Sequence, residues 1–229
     1  RWSLARADAI LVHNEAMQAR AREIGWPMDK VLVVEDVPAA GKDQPARGLA
    51  RQQIAAPKPW VLFPGSFAAD EPIAEVLAAA RLMPECTFII TGRPERAAQN
   101  GHDIGGKPAN VVLPGFLPLE VFDDLLREAD VVMGLTREEG IQLSVCNEAL
   151  GFGKPLVTSN TQILGKLFGS AAVLVDTGNP ASIAGGCAEA IGNSRQYSEK
   201  SLSLSVARVD QWRAVQLAGL SRLLGNATP

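Results

Sequence analysis

The chain has 229 residues, 47% of them hydrophobic, enough to bury one or two sizeable cores. With 22 basic against 25 acidic residues its formal charge is −3, which removes any general electrostatic ground for binding nucleic acid or an acidic membrane surface. Three widely separated cysteines (Cys86, Cys146, Cys187), two histidines and no apolar run near ~20 residues argue against a disulfide framework, a zinc site and a membrane-crossing helix.

The opening Arg1-Trp2-Ser3-Leu4 is no signal peptide and reads as the start of a fragment or processed product. Residues 9–13 (AILVH) form an apolar run expected to be a buried strand. Asn14 is placed to cap a helix that runs to Ile24, with Gly25 stopping it. A second strand covers 31–34. From Glu35 to Lys58 periodicity dissolves among Pro, Gly, Ala and charge, which predicts a linker with one short helix near Ala50.

Regular alternation returns at Trp60. A strand over 60–63 leads into the turn Pro64-Gly65-Ser66, and Ile73, Val76, Leu77 and Ala80 then recur at helical spacing. Strands follow at 87–90 and 111–113, with a polar loop over 91–109 between them. A helix starting near Pro118 carries Phe122, Leu125, Leu126 and Ala129 on one face and leaves Asp123-Asp124 to solvent. Strands at 131–135, 156–158 and 173–175 alternate with helices at 142–151 and 161–168. Asn179-Pro180 opens a further helix to Ile191. The tail over 196–224 is expected to be a long amphipathic helix or helix pair. Leu217, Leu220 and Leu224 form its stripe, and Gly225-Asn226 ends it.

These strands are continuous apolar runs, as expected when helices cover both faces of a parallel sheet. The chain therefore reads as α/β, a doubly wound, Rossmann-like parallel sheet that binds ligands beyond the carboxyl ends of its strands.

The most informative stretch is TREEGIQLSVCNEALGFGKPLVTS, residues 136–159. It leaves a strand, turns at Glu139-Gly140 and enters a helix on which Ile141, Val145, Glu148 and Ala149 share a stripe. A carboxylate on a core-facing stripe must find donors or cost on the order of several kcal/mol. The adjacent hydroxyls of a ribose would satisfy Glu148; so would a loop cap or a buried arginine. Gly140 allows close backbone approach, and the N–H groups of Ile141, Gln142, Leu143 and Ser144 at the helix start suit an anion such as a diphosphate. Gly151-Phe152-Gly153-Lys154-Pro155 follows a helix and precedes a strand, the reverse of a P-loop, and reads as a helix stop. His102 reads as solvated, His13 as structural, and Cys146 has no adjacent His or Lys to activate it.

Several stretches, taken in order, resemble one family. PWVLFPGSF is similar to a strand and glycine loop, TFIITGRP to the next strand, and NVVLPGFLPLEVFDDLLREADVVMGLT to a run of strand, Gly-Phe loop, helix and strand. EALGFGKPLVTSN is similar to the segment around a second functional glutamate, and ADAILVHNEAMQARAREIGWPMDKVLVVEDVP to the closing part of a preceding domain and its hinge. Together they resemble the C-terminal, donor-binding domain of group 1 type retaining glycosyltransferases of the GT-B architecture, over nearly the whole chain.

The resemblance implies a division into 1–36, the close of an N-terminal domain; 37–58, a linker; 59–195, the donor domain; and 196–229, a helical tail. It implies that Glu148 holds the ribose, that the Glu139-Gly140 turn contacts the transferred sugar with Glu139 catalytic, and that Gly65 and Ser66 face the diphosphate. Arg93 and Gly115-Phe116 would lie near the base. Two departures stand out. The family carries an Arg after the glycine matching Gly65 and a Lys shortly beyond, where this chain has Ser66 and Glu71. It also separates its two glutamates by seven residues, whereas eight lie between Glu139 and Glu148, so the turn holds one extra residue or the sugar contact differs.

The function so implied is donor binding, with a nucleotide-diphosphate sugar as substrate and no metal or other cofactor. Transfer would go to a polysaccharide or lipid-linked acceptor held through the N-terminal domain, in the cytoplasm or at the inner membrane face. This length alone is expected to be inactive. The helix around Trp212 resembles the segment that crosses back onto the N-terminal domain, which would expose an apolar face and allow self-association. A noncatalytic module that has lost the donor site, and a sugar-nucleotide epimerase of the same architecture, are the alternatives.

Overall fold

Two parallel sheets organise the chain in the computed structural model, which describes residues 6–39 and 44–223. The larger has six strands: β3 (Trp60–Pro64), β4 (Thr87–Thr91), β5 (Val111–Gly115), β6 (Val131–Gly134), β7 (Leu156–Ser159) and β8 (Ala172–Val175). Their order is β5-β4-β3-β6-β7-β8, every pair parallel. The chain winds outward from β3 to β5, then returns to start again at β6. The direction therefore reverses between β3 and β6, and a crevice opens at their carboxyl ends.

Period-two alternation within single strands explains the two cores. Val61 and Phe63 of β3 face one way, with Phe88, Ile90 and Met133, under α3 (Ile73–Leu82) and α7 (Pro180–Gly192). Trp60 and Leu62 face the other way, with Ile89 and Val132, under α4 (Leu119–Glu128), α5 (Ser144–Gly151) and α6 (Gln162–Phe168). Both faces are apolar because both are covered. The caps expected from the sequence form: Asn14 Oδ1 accepts the Met17 N–H, and Asn179 Oδ1 accepts those of Ala181 and Ser182.

The stretch before β3 is less loose than its composition suggests. The short helix α2 (Leu49–Gln53) buries Ala50, and Ile54 follows it into the second core. Asp124, expected on a solvated face, is instead fully buried and accepts the backbone N–H groups of Arg47 and Ala50. Burial would raise its pKa, but the backbone N–H groups of Arg47, Ala50 and Leu49 and the Arg127 charge outweigh it, so its pKa is lowered from the ordinary aspartate value. His102, expected to be solvated, is half-buried with Nε2 2.7 Å from the Ala68 carbonyl oxygen.

The smaller sheet pairs β1 (Ile10–Val12) with β2 (Val31–Val33), joined by α1 (Glu15–Glu23). The C-terminal helices run from the large sheet onto it: α8 (Ser194–Gln211), a π-helical segment Trp212–Leu217 and α9 (Ala218–Leu223). The Arg208 guanidinium packs over the Phe168 ring and reaches Glu35 at 3.4 Å, while Gln216 Oε1 accepts the Glu35 N–H at 2.8 Å. The π turn shifts the helical phase. Gln216 therefore points inward and Leu217 is 47% exposed, against the leucine stripe expected there. Leu224 and Gly225-Asn226 lie outside the described residues. Among the described residues no helix is long and apolar enough to cross a membrane.

Candidate functional site

A cavity of about 530 Å³ lies at the β3/β6 switch point. The loop after β3 contributes Gly65, Ser66 and Glu71; the end of β4 contributes Thr91 and Gly92; α4 and the turn before it contribute Phe116, Leu119 and Phe122. Leu143, Ser144, Val145 and Glu148 close it from the start of α5. Its walls are thus largely apolar, its two ionisable groups are Glu71 and Glu148, and neither Lys nor Arg is among its lining residues.

Glu148 projects from α5 between Val145 and Ala149, which are both buried, and is itself half-buried. Among the described residues its carboxylate makes no ion pair and no hydrogen bond. Burial first and the Asp123 charge second raise its pKa above the ordinary glutamate value. The helix stripe inferred from sequence needs one correction. α5 begins at Ser144, with Leu143 as an extended N-cap, so Ile141 and Gln142 precede it. Ile141 is exposed, and the first-turn residues that line the cavity are Ser144 and Val145. The reason is local: Gly140 at φ +78 reverses the chain, and three extended or irregular residues are needed before helical geometry resumes.

The remaining residues singled out from sequence separate spatially. Glu139, Gly140, Ile141 and Gln142 line an adjoining cleft of about 370 Å³ with His13, Asn14 and Asp36, from the segments that follow β1 and β2. Ser144 belongs to both spaces. Glu139 accepts the Gln162 N–H at the start of α6, at 3.0 and 3.3 Å to its two oxygens. The Gln142 side-chain amide has its nitrogen and oxygen buried without a partner. Phe116, 74% exposed, forms the rim of the cavity. Arg93 and Gly115 do not line it. Arg93 lies over the Phe116 ring at 5.6 Å, and Gly115 accepts the Gly92 N–H at 3.1 Å. Cys146 is fully buried and its thiol is pushed up to about 12, mainly by that burial, which leaves no thiolate for nucleophilic use.

Sequence reasoning misses two supports. Asp70 accepts the Thr136 hydroxyl at 2.6 Å and, through its carbonyl, the Arg137 N–H at 2.9 Å, stitching the loop after β6 to the loop after β3. Leu119 and Phe122 supply apolar wall, and only the helical phase of α4 points to the second of them. Chemically, the arrangement offers a slot for a flat apolar group under Phe116, a lone carboxylate for hydroxyl donors, and a helix start beside it.

Comparison with known proteins bears on the fold and the family. A search among curated protein sequences returns no match. Among solved structures, sucrose-phosphate synthase from Thermosynechococcus elongatus superposes with a TM-score of 0.76 at 20% identity, covering 98% of this chain and 60% of that one. A glycosyltransferase from Rickettsia africae ESF-5 gives 0.77 at 12% identity, covering 96% and 64%. Anabaena HepE, solved in complex with UDP and glucose, gives 0.77 at 18% identity, covering 96% and 65%. The chain thus spans less than two thirds of the length of each. The fold is that of one half of the GT-B architecture. The model of the family Glycosyl transferases group 1 matches residues 58–193, more than half of the sequence, and the chain belongs to that family.

Proposed function

We propose that the chain binds a nucleotide-diphosphate sugar at the carboxyl edge of its six-stranded sheet, as the donor half of a glycosyltransferase. The observation that carries this reading is Glu148: a half-buried carboxylate with no protein partner among the described residues, facing a cavity at the topological switch point. Two adjacent ribose hydroxyls would each donate to it and offset its desolvation. The base would lie against Phe116, Leu119 and Phe122, and the diphosphate near the Ser144 and Val145 N–H groups. The sugar would enter the cleft beside Gly140, where the unpartnered Gln142 amide is suited to its hydroxyls and Glu139 supplies the nearby carboxylate.

Anabaena HepE, solved with UDP-glucose, supports a uridine nucleotide as the first ligand to test. The acceptor, a saccharide or lipid-linked saccharide at the cytoplasmic face of a membrane, would approach from the α1 side of the cleft. The 229-residue chain is expected to bind donor without turning it over, because among the described residues a single strand-helix-strand unit faces that cleft.

Calorimetry with UDP, GDP and ADP tests the reading. Hydrogen bonds to a charged group contribute about 1.5–3 kcal/mol each, so Glu148→Ala should weaken the preferred nucleotide at least about tenfold. Binding that is indifferent to Glu148 would sink the assignment. A second reading, a noncatalytic module that keeps the fold without the donor site, is favoured by one observation: the cavity presents two carboxylates and no basic lining residue. It predicts that none of the three nucleotides binds.

A further inference from the structure

The turn at the carboxyl end of β3 already holds an anion, and the anion is part of the chain. Glu71 Oε1 accepts the Ser66 backbone N–H and the Ser66 hydroxyl, each at 2.8 Å. Glu71 Oε2 is buried without a partner, 3.2 Å from where a Cβ on Gly65 would stand. The carboxylate therefore lies against the backbone that an incoming phosphate would use.

Glu71 is held there from behind. Its N–H donates to the Ala68 carbonyl at 3.0 Å, and its own carbonyl accepts the Ile73 N–H at 2.9 Å and the Arg137 guanidinium at 2.8 Å. Arg137 is committed as well, since its other terminal nitrogen pairs with Glu75. Arg93 lies over Phe116, outside the lining. A diphosphate placed on the Gly65-Ser66 turn would meet Glu71 at contact distance and Glu148 across the cavity, without a lining cation to offset either. Like charges so placed disfavour binding most where water is excluded.

We propose that Glu71 is a specificity-determining residue of this cavity: it keeps phosphate off the Gly65-Ser66 turn, so that the cavity gains little affinity from a diphosphate beyond what it has for the nucleoside. The proposal rests on the cavity being the nucleoside site. A nucleotide sugar then binds with its diphosphate turned toward the start of α5, and ligands uncharged at the β3 turn are admitted alongside it.

The test is a pair of titrations, uridine and UDP, against the parent chain, Glu71→Gln and Glu148→Ala. Glutamine keeps an oxygen for the Ser66 N–H and hydroxyl, removes the charge and puts an NH2 donor where Oε2 stood. Glu71→Gln should tighten UDP by about tenfold or more while leaving uridine within about twofold. Higher ionic strength should narrow that gap by screening the carboxylate. Should Glu71→Gln melt early, the parent alone gives the answer, because its UDP-to-uridine affinity ratio must rise with salt if a like charge opposes the diphosphate. Binding of both ligands that depends on Glu148 but shows an unchanged ratio in Glu71→Gln overturns the role of Glu71 and leaves the donor reading standing. Failure of both ligands to bind any of the three proteins overturns the donor reading, and Glu71 falls with it.

Discussion

Asn14 joins the two sheets through one side chain: its Oδ1 caps α1 by accepting the Met17 N–H at 2.9 Å, and its Nδ2 donates to the Gly140 carbonyl at 3.0 Å. Asn14 is 1% exposed, so its own end of each bond is shielded from water. Gly140 sits at φ +78, where L residues are strained, and that conformation presents its carbonyl to α1. Aspartate is as good an N-cap as asparagine, yet it has no hydrogen to give Gly140. Asn14→Asp should therefore lower stability by about 1–3 kcal/mol, comparable to Asn14→Ala, with α1 amides losing exchange protection first. An aspartate variant as stable in urea as the parent would show that the two sheets are not coupled through this residue.

Glu148 carries a pH signature. Its proton is held more tightly in the folded chain than in the unfolded one, by burial first and by Asp123 second. The ionised form therefore costs the folded state stability. That cost is absent below the unfolded-chain value, grows as pH rises toward the raised native value, and is complete above it. Glu148→Gln should raise the melting temperature at neutral pH and leave it unchanged below about pH 4. Nucleotide affinity should move the other way, falling in the parent as pH drops through the native value of Glu148 and staying flat and weak in the glutamine variant. A variant that melts lower than the parent at pH 7 would mean that Glu148 has a stabilising partner.

Most of the fold is legible because apolar runs such as 60–63 and 131–135 are buried on both faces, and only a covered parallel sheet accommodates them. The helix caps at Asn14 and Asn179 are equally legible, being local chemistry. What escapes the sequence depends on long-range partners. Asp124 looks solvated until α2, 74 residues away, places the Ala50 N–H on it. Leu217 looks like part of a buried stripe until the π segment turns Gln216 onto Glu35 in its place. The start of α5 is misjudged because Ile141 fits the helical period but belongs to the extended residues after Gly140. In the candidate site, Glu148 and the Gly65 turn are readable from spacing and resemblance. The division of Glu139 to Gln142 into a separate cleft is not, because it follows from how α1 packs against that turn.

Gly92 gives the rim of the cavity its most exacting contact. Its φ of +112 is glycine territory, and a Cβ there would stand 2.1 Å from the Gly65 carbonyl oxygen and 3.5 Å from the Phe67 ring. The Gly92 N–H also donates to the Gly115 carbonyl at 3.1 Å, so three loops meet at this residue. Alanine would have to push the Gly65 turn outward while adopting a strained backbone, at a cost upwards of about 2 kcal/mol. Gly106 is the matched control. It lies in the loop before β5 without a positive φ, with no atom within 4 Å of an added Cβ, so Gly106→Ala should be neutral or slightly stabilising. Gly92→Ala should melt earlier than Gly106→Ala and bind nucleotide more weakly, because the displaced turn is the one that contributes Ser66 and Glu71 to the cavity wall. Equal melting of the two variants would mean that the β3 and β4 loops yield freely, and that their contact does not set the shape of the cavity.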